Sequence, residues 1–370
     1  MSTSERLRIL FALPGLHRLE RGAEIAFTEL ATELARGGDN VTLIGSGAPI
    51  VGREYSFLHA GSVRRERFER FPRLPLLRGD TVYEEASFVP ALLARYDPSA
   101  YDVTFTCSYP FTNWILRRPS RRTRPAHIFV TQNGDWPATS QRSEYRFFGC
   151  EGLVCINPDY FEANRHRWKS ALIPNGVAID RFGFGTGDRK RFGLPTGDPV
   201  ILMVSALIES KRVADGIRAV ANLEKVHLVC AGDGPLRNDV DDLARELLPN
   251  RFTRLVVKAE DMPTLYRSAD VFLHLSRSES FGNVYVEALA CGLPVVGHDH
   301  QRVRWIVGDQ EFLVDTDDRA QLTAALEAAL RSPRERAITR VKRASRFSWE
   351  QVAQRYRAFA REVVDDWRRR

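Results

Sequence analysis

Short apolar segments typical of buried strands alternate with amphipathic segments typical of helices along the whole sequence. This alternation predicts an α/β protein with parallel, doubly wound sheets. In the first half, the predicted strands are residues 7–13, 41–44, 103–106, 127–131, 152–156 and 171–173. In the second half, they are residues 200–205, 227–231, 255–258, 271–275 and 294–297. Residues 46–80 are expected to be irregular and basic.

A break in this alternation predicts two domains. At 370 residues, the chain is longer than a single hydrophobic core usually accommodates. Pro174-Asn175-Gly176 and the glycine-rich residues 182–188 are typical of a linker. We therefore predict one Rossmann-like domain at 1–175, a second at 176–348, and a C-terminal helical segment at 349–370, with Ser348 as its N-cap.

The composition is that of an ordinary globular protein, with 44% hydrophobic and 27% charged residues. No apolar run approaches the ~18 residues of a membrane span, and the N-terminal segment leads directly into a strand pattern. We expect a cytoplasmic protein. The five cysteines lack metal-ligand spacing and disulfide-scaffold density, and we interpret them as reduced thiols.

Arginines are concentrated in two stretches of the first half, although the formal net charge is only +7. They predict an anionic partner, either a membrane surface or a phosphorylated acceptor, with a merely solvated surface as the alternative. Nucleic acid is not expected, because no nucleic-acid motif accompanies the charge. The arginines concerned are Arg64, Arg65, Arg67, Arg70, Arg73 and Arg78, followed by Arg117, Arg118, Arg121, Arg122 and Arg124.

Two carboxylates, Glu279 and Glu287, flank a Phe281-Gly282-Asn283 turn between a predicted strand and a predicted helix. The amides and positive end of a helix attract phosphate, and a glycine lets the phosphate come close. Glu287 lies roughly 7 Å further along the helix, at 1.5 Å per residue, where it can accept ribose hydroxyls. Its structural alternative is a carboxylate that complements the helix dipole.

These residues belong to a longer pattern from Ser276 to Val296 that carries a Glu-x7-Glu signature and a following Gly-x-Pro. The pattern resembles the GT-B-fold retaining glycosyltransferases, specifically the large fourth family that includes sucrose synthases and bacterial mannosyl- and glucosyltransferases. The resemblance implies two Rossmann-like domains facing a central cleft, with a C-terminal helix crossing back to the first domain. It also implies that Glu279 contacts the donor sugar, that Glu287 holds the nucleotide ribose, and that Phe281, Gly282, Asn283 and Val284 surround the diphosphate.

Two further elements of the second half are similar to this family. After strand 200–205, Lys211 stands where relatives have a lysine that neutralises the diphosphate, but Ser205-Ala206 replaces their usual Gly-Arg. Arg212 is the candidate for the missing cation. The turn containing Gly232 and Gly234 resembles the family's Gly-Asp-Gly-Pro, and these glycines are expected to let the backbone approach the nucleotide, unless it is a plain strand-to-helix turn.

The first half departs further from the family. Gly22 stands at a loosely matching glycine-rich loop that reaches toward the donor phosphates in relatives. After strand 127–131, where many relatives have a histidine, this chain has Asn133 and Asp135. Asn133 is a candidate for hydrogen bonding a substrate hydroxyl. Asp135 is a candidate for positioning or deprotonating the acceptor, with a helix or turn cap as the alternative.

The sequence therefore predicts a retaining, metal-independent hexosyltransferase without a cofactor. It would transfer a hexose from a nucleoside-diphosphate sugar, with UDP favoured, to a glycan or lipid-linked acceptor in polysaccharide or glycoconjugate biosynthesis. A peripheral contact with an anionic membrane is part of this expectation. The alternatives are a nucleotide-sugar epimerase or phosphorylase of the same fold, or a non-catalytic nucleotide-sugar-binding homologue.

Overall fold

The computed structural model describes residues 6–72, 74, 77, 79–118, 123–140 and 145–369. The chain divides into two compact units. The first unit combines Met1–Asn175 with Trp349–Arg370, and the second is Gly176–Ser348. Each unit has a parallel sheet, which confirms the predicted doubly wound α/β class. None of the described helices combines the length and apolar character that a bilayer span requires.

The sheet of the first unit has seven strands among the described residues, in the order β3-β2-β1-β4-β5-β6-β7. All of its strand pairs are parallel. Its centre is fully buried, with Ile9, Phe105 and Ile128 at 0% exposure. The strands are β1 (Arg8–Ala12), β2 (Asn40–Gly45), β3 (Ser56–His59), β4 (Val103–Thr106), β5 (Ala126–Val130), β6 (Gly152–Cys155) and β7 (Ser170–Leu172).

Helices connect most of these parallel strands, whereas a loop connects β2 to β3. The described helices are α1 (Gly22–Arg36), α2 (Asp80–Arg95), α3 (Phe111–Leu116), α4 (Trp136–Thr139), α5 (Pro158–Asn164) and the C-terminal α14 (Trp349–Arg369), with 3₁₀ turns at Arg65–Phe68 and Pro98–Ala100. Helix α14 belongs to this unit: it packs on α1, and Arg357 forms an ion pair with Asp39 at 2.6 Å. A Cβ on Gly152 would lie 2.7 Å from Val363, so this glycine allows α14 to lie close to the sheet.

The sheet of the second unit has six strands among the described residues, in the order β10-β9-β8-β11-β12-β13. They are β8 (Val200–Val204), β9 (His227–Ala231), β10 (Phe252–Leu255), β11 (Val271–His274), β12 (Val295–His298) and β13 (Phe312–Val314). The described helices are α6 (Ile179–Phe182), α7 (Val213–Ala221), α8 (Arg237–Leu247), α9 (Met262–Arg267), α10 (Asn283–Ala290), α11 (Gln301–Val307), α12 (Arg319–Leu330) and α13 (Arg336–Ser345), with a 3₁₀ turn at Glu209–Lys211.

The strand predictions were wrong at three of the four sheet edges, whereas the edge strand β7 was predicted to within one residue. The strand expected at 255–258 is β10, which spans Phe252–Leu255 because these residues pair with β9. The last hydrogen bond of this pairing joins the Gly232 amide to the Leu255 carbonyl oxygen. Strand β3 lies inside the supposedly irregular residues 46–80, and β13 was not predicted. Edge strands pair on one side only and bury less apolar surface, so their sequence patterns are weak.

The glycine-rich residues 182–188 are packed rather than extended as a linker. A Cβ on Gly187 would lie 2.4 Å from the Arg267 carbonyl oxygen, and the Asp188 amide donates to Ser268 Oγ at 2.8 Å. The glycines therefore allow this segment to lie against the end of α9 within the second unit.

The arginine stretches differ in their surroundings. Arg64, Arg67 and Arg70 are exposed, whereas Arg124 makes a two-pronged ion pair with Glu151 at 2.8 and 2.9 Å and lies over the Trp367 ring. Arg124 therefore stabilises the first unit instead of offering a free charge. Arg73, Arg78, Arg121 and Arg122 lie outside the described residues. All five cysteines are free thiols.

Candidate active site

The strand order of the second sheet has a switch point between the parallel neighbours β8 and β11. From β8 the chain adds β9 and β10 toward one edge of the sheet, and it then adds β11, β12 and β13 toward the other edge. In open α/β sheets, ligands bind outside the carboxyl ends of strands at such a switch point. The loop after β8 carries Lys211, and the loop after β11 carries Glu279. Two residues 68 positions apart in sequence are thereby brought to one place.

Glu279 is held by two donors on one oxygen. Its Oε1 atom accepts a hydrogen bond from Lys211 Nζ and another from His274 Nε2 at 2.8 Å. Burial raises the pKa of Glu279, but the contacts with His274 and Lys211 outweigh it and lower the pKa to about 2. Glu279 is therefore ionised at neutral pH, and it holds the Lys211 ammonium at the loop that leads into α10.

Gly282 forms the N-cap of α10 in a left-handed conformation, with φ 89°. A Cβ at this position would lie 2.8 Å from the Tyr285 ring, so both the backbone conformation and the packing require glycine. Phe281 is 3% exposed and packs against the rings of Trp305 and Phe347. This anchor fixes the turn, so the positive end of α10 has a defined position for an anion.

Glu287 lies in the second turn of α10, where its Oε2 accepts a hydrogen bond from the Tyr266 hydroxyl at 2.8 Å. Burial raises the pKa of Glu287, and the Tyr266 hydrogen bond and the charge of Arg181 oppose that rise. Tyr266 is fully buried in α9, so it provides a rigid donor. Its hydroxyl orients the carboxylate for other polar partners.

The Arg212 guanidinium is bonded to other residues of the second unit. Its guanidinium bonds Asp215 at 2.8 Å, the Thr316 hydroxyl at 2.8 Å and Asp317 at 2.9 Å. Its backbone is left-handed, with φ 54°, at the junction between the 3₁₀ turn and α7. These contacts favour a role in holding the Lys211 loop to the segment before α12. The predicted contact of Arg212 with phosphate stays a prediction.

Gly232 and Gly234 allow two loops to pack together. A Cβ on Gly232 would lie 1.9 Å from the Ser205 carbonyl oxygen, and one on Gly234 would lie 2.6 Å from that of Leu207. The Leu207 amide bonds the Asp233 carbonyl at 3.0 Å. The glycines thus support the loop that carries Lys211, which is a reason for glycine beyond the predicted approach to a nucleotide.

The three candidate site residues of the first unit are less closely connected to one another than Lys211 and Glu279 are in the second. Gly22 is the first residue of α1, Asn133 is exposed with its amide 3.7 Å from Cys107 Sγ, and Asp135 precedes α4. The Asp135 carboxylate accepts a hydrogen bond from Asn164 at 2.9 Å, although it makes no side-chain cap of α4. This contact anchors Asp135 to α5, and its role toward an acceptor stays a prediction.

Three residues of the site were not identified from the sequence. His274 interrupts the apolar run of β11, and that interruption was an available signal. Tyr266 gave none, because an aromatic residue on a helix usually packs in the core. Arg302 of α11 donates to the Glu279 backbone oxygen, and it follows no motif. Among the described residues, no three His, Cys, Asp or Glu side chains are placed to hold a metal ion.

Comparison with known proteins shows similarity to glycosyltransferases. Residues 186–346 match the family described as glycosyl transferases group 1. The chain is 30% identical over 206 residues to the lipopolysaccharide core biosynthesis glycosyltransferase LpsE of Rhizobium meliloti, covering 54% of this chain and 58% of LpsE. It is 28% identical over 179 residues to the alpha-monoglucosyldiacylglycerol synthase of Streptococcus pneumoniae, covering 44% of this chain and 40% of that protein.

Solved structures match almost the whole chain. Sucrose-phosphate synthase from Thermosynechococcus elongatus has a TM-score of 0.77 at 20% identity, covering 98% of this chain and all of that one. Anabaena HepE in complex with UDP-glucose has a TM-score of 0.72 at 17% identity, with coverage of 98% and 100%. These likenesses confirm the predicted GT-B fold class. Residues 186–346 thus match the glycosyl transferases group 1 family, on a chain with the GT-B fold.

Proposed function

We propose that this protein is a retaining glycosyltransferase that moves a hexose from a nucleoside-diphosphate sugar, with UDP favoured, to a glycan or lipid-linked acceptor. The observation that carries the proposal is the Lys211–Glu279 pair at the switch point, beside the N-terminus of α10. A cation, a helix N-terminus and an ionised carboxylate are the groups that a sugar diphosphate requires. The group 1 family match over the same residues supports it.

Each part of the donor has a proposed partner. Glu287, oriented by Tyr266, accepts the ribose hydroxyls. The amides at the start of α10, from Gly282 to Val284, and the Lys211 ammonium bind the diphosphate. Lysine has three N–H donors, so Lys211 can bond Glu279 and phosphate together. Glu279 accepts hydroxyls of the transferred sugar. UDP is favoured by analogy with HepE, whose structure has been solved in complex with UDP-glucose and whose sequence is 17% identical to this chain.

The proposed reaction breaks the bond between the anomeric carbon and the diphosphate oxygen. As this bond breaks, negative charge develops on the phosphate, and Lys211 together with the α10 N-terminus stabilises it. The acceptor hydroxyl attacks the anomeric carbon from the face that the phosphate leaves, and its proton passes to the leaving phosphate oxygen. This course retains the anomeric configuration and requires neither an enzymatic base nor a metal ion.

The proposal places the acceptor on the first unit, at or near an anionic surface. Arg64, Arg67 and Arg70 are exposed beside Phe71 and Leu74, which are 49% and 48% exposed. Basic and apolar side chains together suit an anionic bilayer, where each arginine contributes about 1 kcal/mol. Lipid-linked acceptors fit such a surface. LpsE is named for lipopolysaccharide core biosynthesis, which is in keeping with this class.

Vesicle co-sedimentation tests the surface. Replacing Arg64, Arg67 and Arg70 by serine should abolish binding to vesicles containing phosphatidylglycerol and leave binding to pure phosphatidylcholine vesicles unchanged. The matched control replaces three arginines of the second unit that are at least half exposed, Arg237, Arg245 and Arg331. Equal losses in both triple variants would show a non-specific charge effect and contradict a membrane surface on the first unit.

The donor assignment is tested by titration calorimetry with UDP, GDP, ADP and dTDP on the wild type and on Glu287→Ala. We expect UDP to bind tightest and Glu287→Ala to weaken it roughly ten- to hundredfold, because the hydrogen bonds between the Glu287 carboxyl group and the ribose hydroxyls are lost. Unchanged affinity in this variant would remove the ribose role. NMR of the product from UDP-glucose should show an α-glycoside. Free epimerised sugar, sugar phosphate or no turnover would favour an epimerase, a phosphorylase or a binding protein respectively.

A further inference from the structure

His274 occupies a rigid, buried position behind Glu279. It is the last residue of β11 and is 2% exposed. Its ring lies parallel to Phe272, with centroids 6.2 Å apart, and edge-on to Tyr285, with centroids 5.1 Å apart. The Tyr285 hydroxyl also donates to the His274 backbone oxygen at 3.3 Å. Both aromatic neighbours are fully buried, so the imidazole has little freedom to move.

The contact between His274 and Glu279 has a defined direction. The two atoms 2.8 Å apart are His274 Nε2 and Glu279 Oε1. Since Glu279 is ionised at neutral pH and accepts only, Nε2 must carry the proton. Within the described part of the chain, Nδ1 is buried without a hydrogen-bond partner. Among the described residues, the His274 imidazole therefore hydrogen-bonds Glu279 alone.

The two donors leave one carboxylate oxygen available. Lys211 and His274 both bond Oε1, and Oε2 has no hydrogen bond within the described part of the chain. The Arg302 guanidinium holds the Glu279 backbone oxygen, which limits movement of the loop itself. The Glu279 backbone oxygen and its Oε1 atom are thus both held, and Oε2 is the carboxylate oxygen that neither Lys211 nor His274 bonds.

We propose that His274 is a positioning residue that keeps Glu279 oriented so that Oε2 accepts a hydroxyl of the donor sugar. The inference rests on the proposed donor site. Lys211 is a long, flexible side chain whose other N–H groups are assigned to the diphosphate, so it changes surroundings when the nucleotide binds. His274 is buried and bonds Glu279, so it keeps hold of this carboxylate when the nucleotide binds. A preorganised carboxylate loses less entropy on binding than a mobile one.

The test compares binding of UDP with binding of UDP-glucose by titration calorimetry. His274→Phe and His274→Leu remove the donor and retain an apolar ring or branch, whereas His274→Gln retains an N–H group. We expect the apolar variants to lose about tenfold in affinity for UDP-glucose while UDP affinity stays within about twofold. The Gln variant should recover most of this loss. If His274→Phe does not fold, as judged by its melting temperature, His274→Leu provides the same comparison.

A double-variant cycle identifies the route of the effect. In a Glu279→Ala background, His274→Leu should cause no further loss of UDP-glucose affinity, because the carboxylate that His274 positions is already absent. An additive loss, a preference for UDP-glucose equal to that of the wild type, or equal losses for UDP and UDP-glucose would each overturn the positioning role. A wild type that binds neither UDP nor UDP-glucose would instead overturn the proposed donor site, and the inference with it.

Discussion

The two units share a strand order, but Glu279 in the second unit and Glu85 in the first lie in opposite electrostatic environments. Both sheets have a switch point beside their first strand. It lies between β1 and β4 in the first unit and between β8 and β11 in the second. In the second unit, Glu279 is kept ionised by His274 and Lys211. In the first unit, burial raises the pKa of Glu24, and it raises that of Glu85 to about 7.

This difference shows that the scaffold does not determine the chemistry. The Lys211 ammonium and the hydrogen bond from His274 overcome the cost of desolvating Glu279, which otherwise favours the neutral form of a carboxyl group. In the first unit, Glu85 is 3% exposed and accepts a hydrogen bond from the Thr112 amide at 2.7 Å, but none of its described contacts is with a cation. The second unit is therefore suited to anionic ligands. In contrast, Glu85 is a buried carboxyl group that accepts a hydrogen bond within the first unit.

The largest expected effect tests the cation of the second unit. Lys211→Ala should lower turnover, measured as UDP release from UDP-glucose, by about 10²–10³-fold, because the leaving diphosphate loses electrostatic stabilisation. Donor affinity should fall less than turnover. Lys258→Ala is the matched control, since this lysine is 81% exposed. A variant with normal turnover and only weakened UDP-glucose binding would contradict transition-state stabilisation by Lys211.

The next effect tests the buried carboxyl of the first unit. The folded pKa of Glu85 is about 7, against an ordinary value of 4.5. Between these values the folded state binds more protons than the unfolded state, so stability falls as pH rises and remains lower above pH 7. Glu85→Gln removes this penalty. At pH 8 its free energy of unfolding should exceed that of the wild type by about 2–3 kcal/mol, with little difference near pH 4.5.

Chemical denaturation at pH 4.5, 6 and 8 measures this difference through a probe in the first unit. Glu66→Gln provides the control, because Glu66 is 56% exposed. Parallel stability curves for Glu85→Gln and the wild type would show that burial does not favour the protonated Glu85. The contrast with Glu279 would then no longer hold.

Sequence prediction succeeded where apolar patterning and motif spacing coincide. Central strands such as β8 are continuous apolar runs, and the Glu-x7-Glu pattern predicted the turn at Gly282 before α10. Edge strands β3 and β13 were missed because one side of each is unpaired. The His274 and Tyr266 contacts were also missed, since they depend on which side chains the sheet and α9 bring together, and such distances are not encoded in local patterns.

A smaller effect tests whether loop packing supports the cation. Gly232→Ala would place a Cβ 1.9 Å from the Ser205 carbonyl oxygen, so the two loops must separate. We expect a loss of about 1–3 kcal/mol in the stability of the second unit. Gly197→Ala is the control, since nothing lies within 4 Å of its added Cβ. Equal melting temperatures for the two variants would contradict the packing role, and weaker UDP binding without loss of stability would favour the predicted approach to the nucleotide.

The smallest expected effect concerns Asp135 and decides whether the first unit supplies a base. Asp135→Ala removes one hydrogen bond from Asn164, which is 1% exposed and also bonds the Tyr160 carbonyl, so stability should fall by about 1 kcal/mol. Asp135→Asn retains an acceptor oxygen and should be nearly neutral. If the leaving phosphate takes the acceptor proton, UDP release by the Asn variant should stay within about threefold of the wild type. A loss of 10²-fold or more, the scale of general base catalysis, would instead make Asp135 a base and place part of the chemistry on the first unit.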